Sequence, residues 1–325
     1  MNFQIPGQIP GQAPAGLWRR VPPAIFPPVL GLLGLGLGWR RGIVEFALPQ
    51  GLADAALGAI MLLALFALMT YVVKMARRPS VVLDELKILP GRAGLSAAVL
   101  CLYLLAVVFA PYSGGLARGF LGAGIVFHLG LTAALIWTLA TGPKEQRRVT
   151  PVWHLGFTGW IVCALAAQAL GLATLAIGLF WLSLVIAVGI WTASLQQFSR
   201  ETVPAPLRPL LAIHLAPAAL IGSVATGFQA EAIAQAFGLL SALLLFVFVV
   251  RGRWLLAAGF SPFWGALTFP LAATANFWLA MGGVWRLPGA FVLIGATLFI
   301  PFVAYQVMKL WAKGQLAVKT NAATA

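Results

Sequence analysis

The sequence predicts an all-α polytopic membrane protein whose chain crosses the bilayer ten times. Three observations predict it. Of 325 residues, 61% are hydrophobic and only 9% are charged, too little charge to coat a soluble domain. The few charges divide the chain into uncharged windows at 21–39, 55–73, 93–117, 119–143, 149–199, 209–230, 232–250, 254–285 and 287–308. Each is long enough for a helix through about 30 Å of hydrocarbon, and 149–199 is long enough for two. The basic residues, finally, are sorted between alternate loops.

Taken in order, the first core lies at 24–40 and is introduced by Pro22, Pro23, Pro27 and Pro28. The second, 54–75, is centred on the uncharged window between Asp54 and Lys74, and the third, 93–111, follows Pro90 and ends at Pro111. The fourth, 119–140, is bounded by Arg118 and Lys144. The fifth, 151–168, starts at Pro151 and is parted from the sixth, 172–195, near Gln168 to Gly171. The seventh, 208–226, follows Pro204, Pro206 and Pro209, and the eighth, 230–250, ends at Arg251. The ninth, 261–281, opens at Pro262 inside the uncharged stretch between Arg253 and Arg286, and the tenth is 288–311. Proline at a helix start costs nothing, because the N–H it lacks has no partner there. The odd-numbered starts recur every 53 to 69 residues, which suggests five helical hairpins.

With ten spans, the N-terminus, the loops after even spans and the C-terminus carry 17 basic residues, and the loops after odd spans carry 4. Basic residues collect on the cytoplasmic side, so both termini are expected there, in a plasma or inner membrane. The formal charge of +14 is thereby explained by topology, without nucleic acid. Residues 1–20, with the repeat Ile5-Pro-Gly-Gln-Ile-Pro-Gly-Gln, are expected to be a disordered cytoplasmic tail. Residues 21–313 make the membrane domain and 314–325 a second short tail.

No core holds an Asp, Glu, Lys or Arg well inside it. Such residues mark proton relays, voltage sensors and ion-coupled sites, and acidic rings serve cation pores. A carboxylate-driven symporter, an arginine-rich voltage-sensing helix and a cation pore are all disfavoured. Cys101 and Cys163 lie in apolar segments and read as small buried hydrophobes. No metal-ligand spacing, Walker motif, GxSxG or HExxH occurs, so neither enzymatic chemistry nor a cofactor is expected.

Three prolines fall at midspan: Pro217, Pro270 and, on the even-numbered tenth span, Pro301. Pro217 and Pro270 each lack the N–H that would serve the carbonyl four residues back, Ile213 and Ala266. In hydrocarbon such a carbonyl must face protein or water, so both spans are expected to be kinked and to line a pathway. Phe269, directly before Pro270, is expected to be pushed from helical geometry and to sit at the break. Gly31, Gly34, Gly36 and Gly38 either let another helix approach closely or keep bulk out of a pore. His154, His214 and Thr268 are candidate anion or proton contacts, with structural roles the alternative for the histidines.

The segments Ile25-Phe-Pro-Pro-Val-Leu-Gly-Leu-Leu-Gly-Leu-Gly, Thr150-Pro-Val-Trp-His-Leu-Gly, Leu215-Ala-Pro-Ala-Ala-Leu and Phe263-Trp-Gly-Ala-Leu-Thr-Phe-Pro-Leu resemble the tellurite-resistance/dicarboxylate transporter family. That family includes bacterial TehA and the slow-type anion channels of plant guard cells. The resemblance implies a quasi-fivefold arrangement with inner odd helices lining a pore, a homotrimer, and small inorganic or organic anions as partners. It implies passive anion conduction with Phe269 as the pore gate. A carrier for C4-dicarboxylate, sulfite or tellurite-type oxyanions on the same fold is the alternative.

Overall fold

A computed structural model of the chain describes residues 16–325; the expected Pro/Gly-rich tail falls almost wholly outside the described residues. Helix accounts for 82% of the structure, and no strand occurs among the described residues. The long helices are α1 (Phe26–Glu45), α2 (Gln50–Arg77), α4 (Leu89–Phe109), α5 (Gly114–Thr141), α6 (Trp160–Ala169), α7 (Ala173–Phe198), α8 (Leu215–Gly227), α9 (Glu231–Val250), α11 (Gly265–Met281) and α12 (Arg286–Ala312). Three short helices intervene: α3 (Val81–Leu86), α10 (Gly252–Leu255) and α13 (Gln315–Lys319). Seven helical segments are long and apolar enough to cross a membrane.

The helices divide by burial. In α4 and in the Ala205–Gly227 segment 83% of the apolar stretch is buried, against 28% in α2, α5 and α7 and 17% in α9. The second group turns large apolar side chains outward, among them Leu62, Trp137, Val185 and Phe246, and α12, a third buried, does the same with Leu298. Helices that are apolar all round belong at the centre of a membrane bundle, and those with one uncovered apolar side belong against lipid.

The packing partners follow one rule. Each buried helix packs on the next long helix in the chain, α1 on α2, α4 on α5, α6 on α7, α8 on α9 and α11 on α12. The buried helices also touch one another in a closed circuit: α1 meets α4, α4 meets α6, α6 meets α8, α8 meets α11, and α11 returns to α1. Gly171, at φ +72°, makes the reversal between α6 and α7, a conformation that costs glycine nothing.

Four of the five buried helices do not begin as α-helix. A 3-10 turn covers Pro23–Ile25 before α1, and another covers Pro262–Trp264 before α11. A π-helical turn covers His154–Thr158 before α6. A ten-residue 3-10 stretch, Ala205–His214, precedes α8. The last corrects the expectation for Pro217. That residue is third in α8 rather than in the middle of a kinked α-helix. Its missing N–H falls in the first turn, where no intrahelical acceptor is expected, and the chain upstream bonds three residues apart instead of four. The expectation for Phe269 is corrected too. The α-helix runs unbroken from Gly265 to Met281 with Pro270 inside it, and Phe269 is helical. The preference of a pre-proline residue for extended geometry has yielded to packing on both sides of the turn.

The two ends of the bundle differ. At one, Ala325 N–H donates to the Arg19 carbonyl, Ala323 N–H to Glu85, and Lys74 to the Val21 carbonyl, so the segment before α1 and the C-terminal residues meet the α2–α4 link there. At the other, Arg40 faces Asp54 and Arg286 faces Glu45, at 4.0 and 3.7 Å.

Candidate functional site: two cavities at the centre of the bundle

Two small cavities lie at the centre of the circuit. The outer one, about 30 Å³, is lined by Ala24 and Pro27, by Pro90 and Ala93, by Leu155, by Leu210 and Ile213, and by Pro262, Phe263 and Ala266. Every buried helix contributes the start of its span. The inner one, about 10 Å³, has room for roughly one water. Its wall includes Leu100, His154, Thr158, Pro217, Leu220 and Phe269, and it shares Leu155 and Ile213 with the outer cavity. The shared residues make the two cavities neighbours.

Phe269 is buried, at 5% exposure. Its ring has the inner cavity on one side and α1 on the other. A methyl group built at Gly34 would stand 3.2 Å from the Phe269 Cδ2 and 3.0 Å from the Ala272 Cβ. The same comparison at Gly31 meets the Thr268 side chain and, at 3.1 Å, the Phe269 nitrogen. The first-span glycines therefore serve close approach: Gly31, Gly34 and Gly38 face α11 or α12, and Gly36 faces Leu57 of α2. Hydrogen bonds fix the same seam. Asn276 Nδ2 donates to the Gly34 carbonyl at 2.9 Å, and Thr268 Oγ1 reaches the Pro27 carbonyl at 3.1 Å and that of Gly265 at 2.7 Å. Thr268 is thus occupied at the α1–α11 seam and lines neither cavity.

The π turn and the 3-10 stretch bring His154 and His214 together. His154 Nε2 and His214 Nδ1 are 3.0 Å apart, and His154 Nδ1 lies 3.1 Å from Thr158 Oγ1. Both rings are buried, and His214 Nε2 has no hydrogen-bond partner. Trp191 on α7 donates its indole N–H to the His214 carbonyl at 3.3 Å, which anchors the backbone just ahead of Pro217. The third histidine is differently placed. His128 is bonded to Tyr103 Oη at 3.1 Å and the Gly156 carbonyl at 3.0 Å, and it stacks on Trp160 at 4.0 Å. Both its nitrogens are satisfied, so it is a structural side chain.

Among the described residues, His154 is the only titratable one on either cavity wall. Behind the outer cavity, Arg92 is 7% exposed and bonds carbonyl oxygens of Leu86 and Gln146, with no carboxylate at salt-bridge distance among the described residues. Its charge was visible in the sequence, but its burial and lack of an acidic partner were not. The free thiols Cys101 and Cys163 are both buried. Among the described residues no cluster of His, Cys, Asp and Glu could hold a metal ion.

A bundle of apolar helices with two small, mainly apolar cavities at its centre accords with what the chain is similar to. A search among curated proteins finds no match. The family model described as SLAC1, voltage-dependent anion channel, matches residues 20–311. The chain is thus a multi-pass membrane protein of the SLAC1, or tellurite-resistance/dicarboxylate transporter, family of anion channels and transporters.

Proposed function

We propose that this protein is a passive anion channel with a central pore occluded by Phe269. In this reading the chain makes ten transmembrane helices in five hairpins with quasi-fivefold symmetry. The buried helices α1, α4, α6, α8 and α11 surround the pore, and their partners form the outer ring. Residues 21–313 form the channel domain, both chain ends lie in the cytoplasm, and three copies assemble with one pore each. The observation that carries the reading is the position of the Phe269 ring, wedged between Gly34 of α1 and a cavity walled by α4, the π turn and α8. A bulky apolar ring in so narrow a passage excludes ions sterically and by dewetting.

Arg92 and the other basic residues at the cytoplasmic end would draw anions toward the mouth. With no fixed charged ring inside, selectivity rests on the cost of shedding water, so nitrate and chloride pass more readily than sulfate or malate. Efflux of chloride, nitrate and malate from proteoliposomes, with and without a pH gradient, tests this. A channel gives electrogenic, monovalent-selective efflux that no pH gradient drives uphill. Saturable malate uptake accumulated by a proton gradient would assign the carrier function instead.

A further inference from the structure

We propose that a groove between α5 and α7 binds one anionic phospholipid, with an acyl chain along its apolar floor and the phosphate at Arg200. The site rests on the chain's place in a membrane, and on the proposed topology only for the leaflet, the cytoplasmic one. Nothing in it depends on the pore.

The groove has a volume of about 480 Å³, against about 30 and 10 Å³ for the central cavities. Its lining is apolar: Ile136 and Leu139 of α5, Ile190 of α7, and the rings of Trp153 and Phe157, whose centres are 5.2 Å apart. On the α7 side it opens at Gly189, where an added methyl would meet nothing within 4 Å. At Gly31 and Gly34 the room left by the missing side chain is taken by Thr268 and Phe269. At Gly189 no part of the protein takes it, although glycine inside a helix is destabilising against alanine.

Polar groups take over where the groove ends. Steps of three or four residues along α7, from Ile186 through Gly189, Ile190 and Ala193 to Gln197 and Arg200, keep to one face. Ala193, Gln197 and Arg200, with Arg148 and Glu201, line a second hollow of about 330 Å³. Val149 lines the first hollow and Arg148 the second, so the two adjoin. Arg148 is engaged with Glu201 at 2.5 Å and with Gln197 at 3.3 Å. Arg200 joins no ion pair among the described residues. In segments 144–148 and 200–201 the bases Lys144, Arg147, Arg148 and Arg200 stand against only Glu145 and Glu201. An arginine without a carboxylate partner suits a phosphate, which its planar fork can bind through two hydrogen bonds.

The dimensions fit one leaflet. From Ile186 to Phe198, the last residue of α7, the helix rises about 18 Å, against about 15 Å of hydrocarbon in half a bilayer. A chain lying beside Ile186 to Ala193 therefore brings its headgroup to Arg200. It also packs on Trp153 and Phe157, while His154 and Leu155 between them wall the inner cavity. The lipid thus braces from outside the turn that walls the centre of the bundle.

Native mass spectrometry of the full-length protein in detergent micelles, titrated with dioleoyl phosphatidylglycerol or dioleoyl phosphatidylcholine, reads the site. The first lipid bound should favour the glycerol headgroup by at least about fivefold, the effect of one basic residue near an anionic lipid. Arg200→Gln should lose that preference and keep the affinity for phosphatidylcholine. Gly189→Leu fills the groove and should weaken both lipids by at least about fivefold, through lost burial of the chain. Gly178→Leu is the control, on the same helix outside the groove, where an added methyl also meets nothing within 4 Å; it should bind as the wild type does. Equal first-lipid affinities in the wild type, a preference untouched by Arg200→Gln, or a Gly189→Leu protein that binds like the wild type overturns the site. So does a wild-type oligomer that Gly189→Leu dissociates, because a second copy of the chain then fills the groove. If Gly189→Leu does not fold, Arg200→Gln, at an exposed position, decides alone. Conductance enters none of these readings, so a protein that binds the lipid and passes no anion contradicts the pore and leaves the site standing.

Discussion

Phe269 fits closely against Gly34 of α1, and the neighbouring glycine shows how little slack the seam has. A methyl at Gly31 runs into the Thr268 side chain and the backbone nitrogen of Phe269, whereas one at Gly58 of α2 meets nothing within 4 Å. Gly31→Ala is therefore expected to destabilise the protein by about 1–3 kcal/mol through overpacking. Gly58→Ala should instead be neutral or stabilise by up to about 1 kcal/mol through helix propensity. Thermal unfolding of the two variants in one detergent separates them; equal midpoints would refute the tight seam. At this scale the sequence was half legible. Phe269, Pro270 and the glycines stood out because each is locally unusual. The bond from His154 to His214 did not, since the two lie 60 positions apart and only tertiary packing brings them into contact. Thr268 looked like a free hydroxyl because no local pattern announces that Pro27 on another helix receives it.

Among elements, charge boundaries located the long helices well, because a charged side chain marks where hydrocarbon ends. The division near Gln168 to Gly171 matches the gap between α6 and α7, where Gly171 takes the left-handed conformation. The 3-10 and π segments were not legible. Their periods differ little from that of an α-helix over so few residues, and what selects them is the loss of proline N–H groups together with packing. Nor was the tie among α2, α3, the segment before α1 and the stretch after α13. Lys74, in the last turn of α2, reaches Glu85 of α3 at 2.5 Å with both side chains fully buried. Burial pushes the Glu85 carboxyl up, while Lys74 and the Ala323 N–H pull it down. Lys74→Met leaves the carboxyl without its charge partner and is expected to cost about 3–5 kcal/mol, with Glu85 taking up a proton in partial relief. The double variant Lys74→Met/Glu85→Leu should recover most of that loss. A double variant no more stable than the single would show that the pair is not the source of the effect.

For the molecule as a whole, the sorting of basic residues implied an even number of spans and chain ends on one face. Among the described residues, Ala325 N–H bonds the Arg19 carbonyl and Ala323 N–H bonds Glu85, so the segment before α1 and the C-terminal residues lie together. The closed circuit of buried helices could not be read from hydropathy, since inner and outer helices are almost equally apolar. What separates them is which apolar faces other helices cover, and lipid can replace a helix at no cost in hydrophobicity. In this account the circuit is a pore and Phe269 is what closes it. The most direct test is anion conductance of Phe269→Ala in planar bilayers against wild-type protein reconstituted at equal amount. The account predicts a many-fold larger, monovalent-selective anion current in the variant. A variant that folds, inserts and conducts no more than the wild type would contradict it.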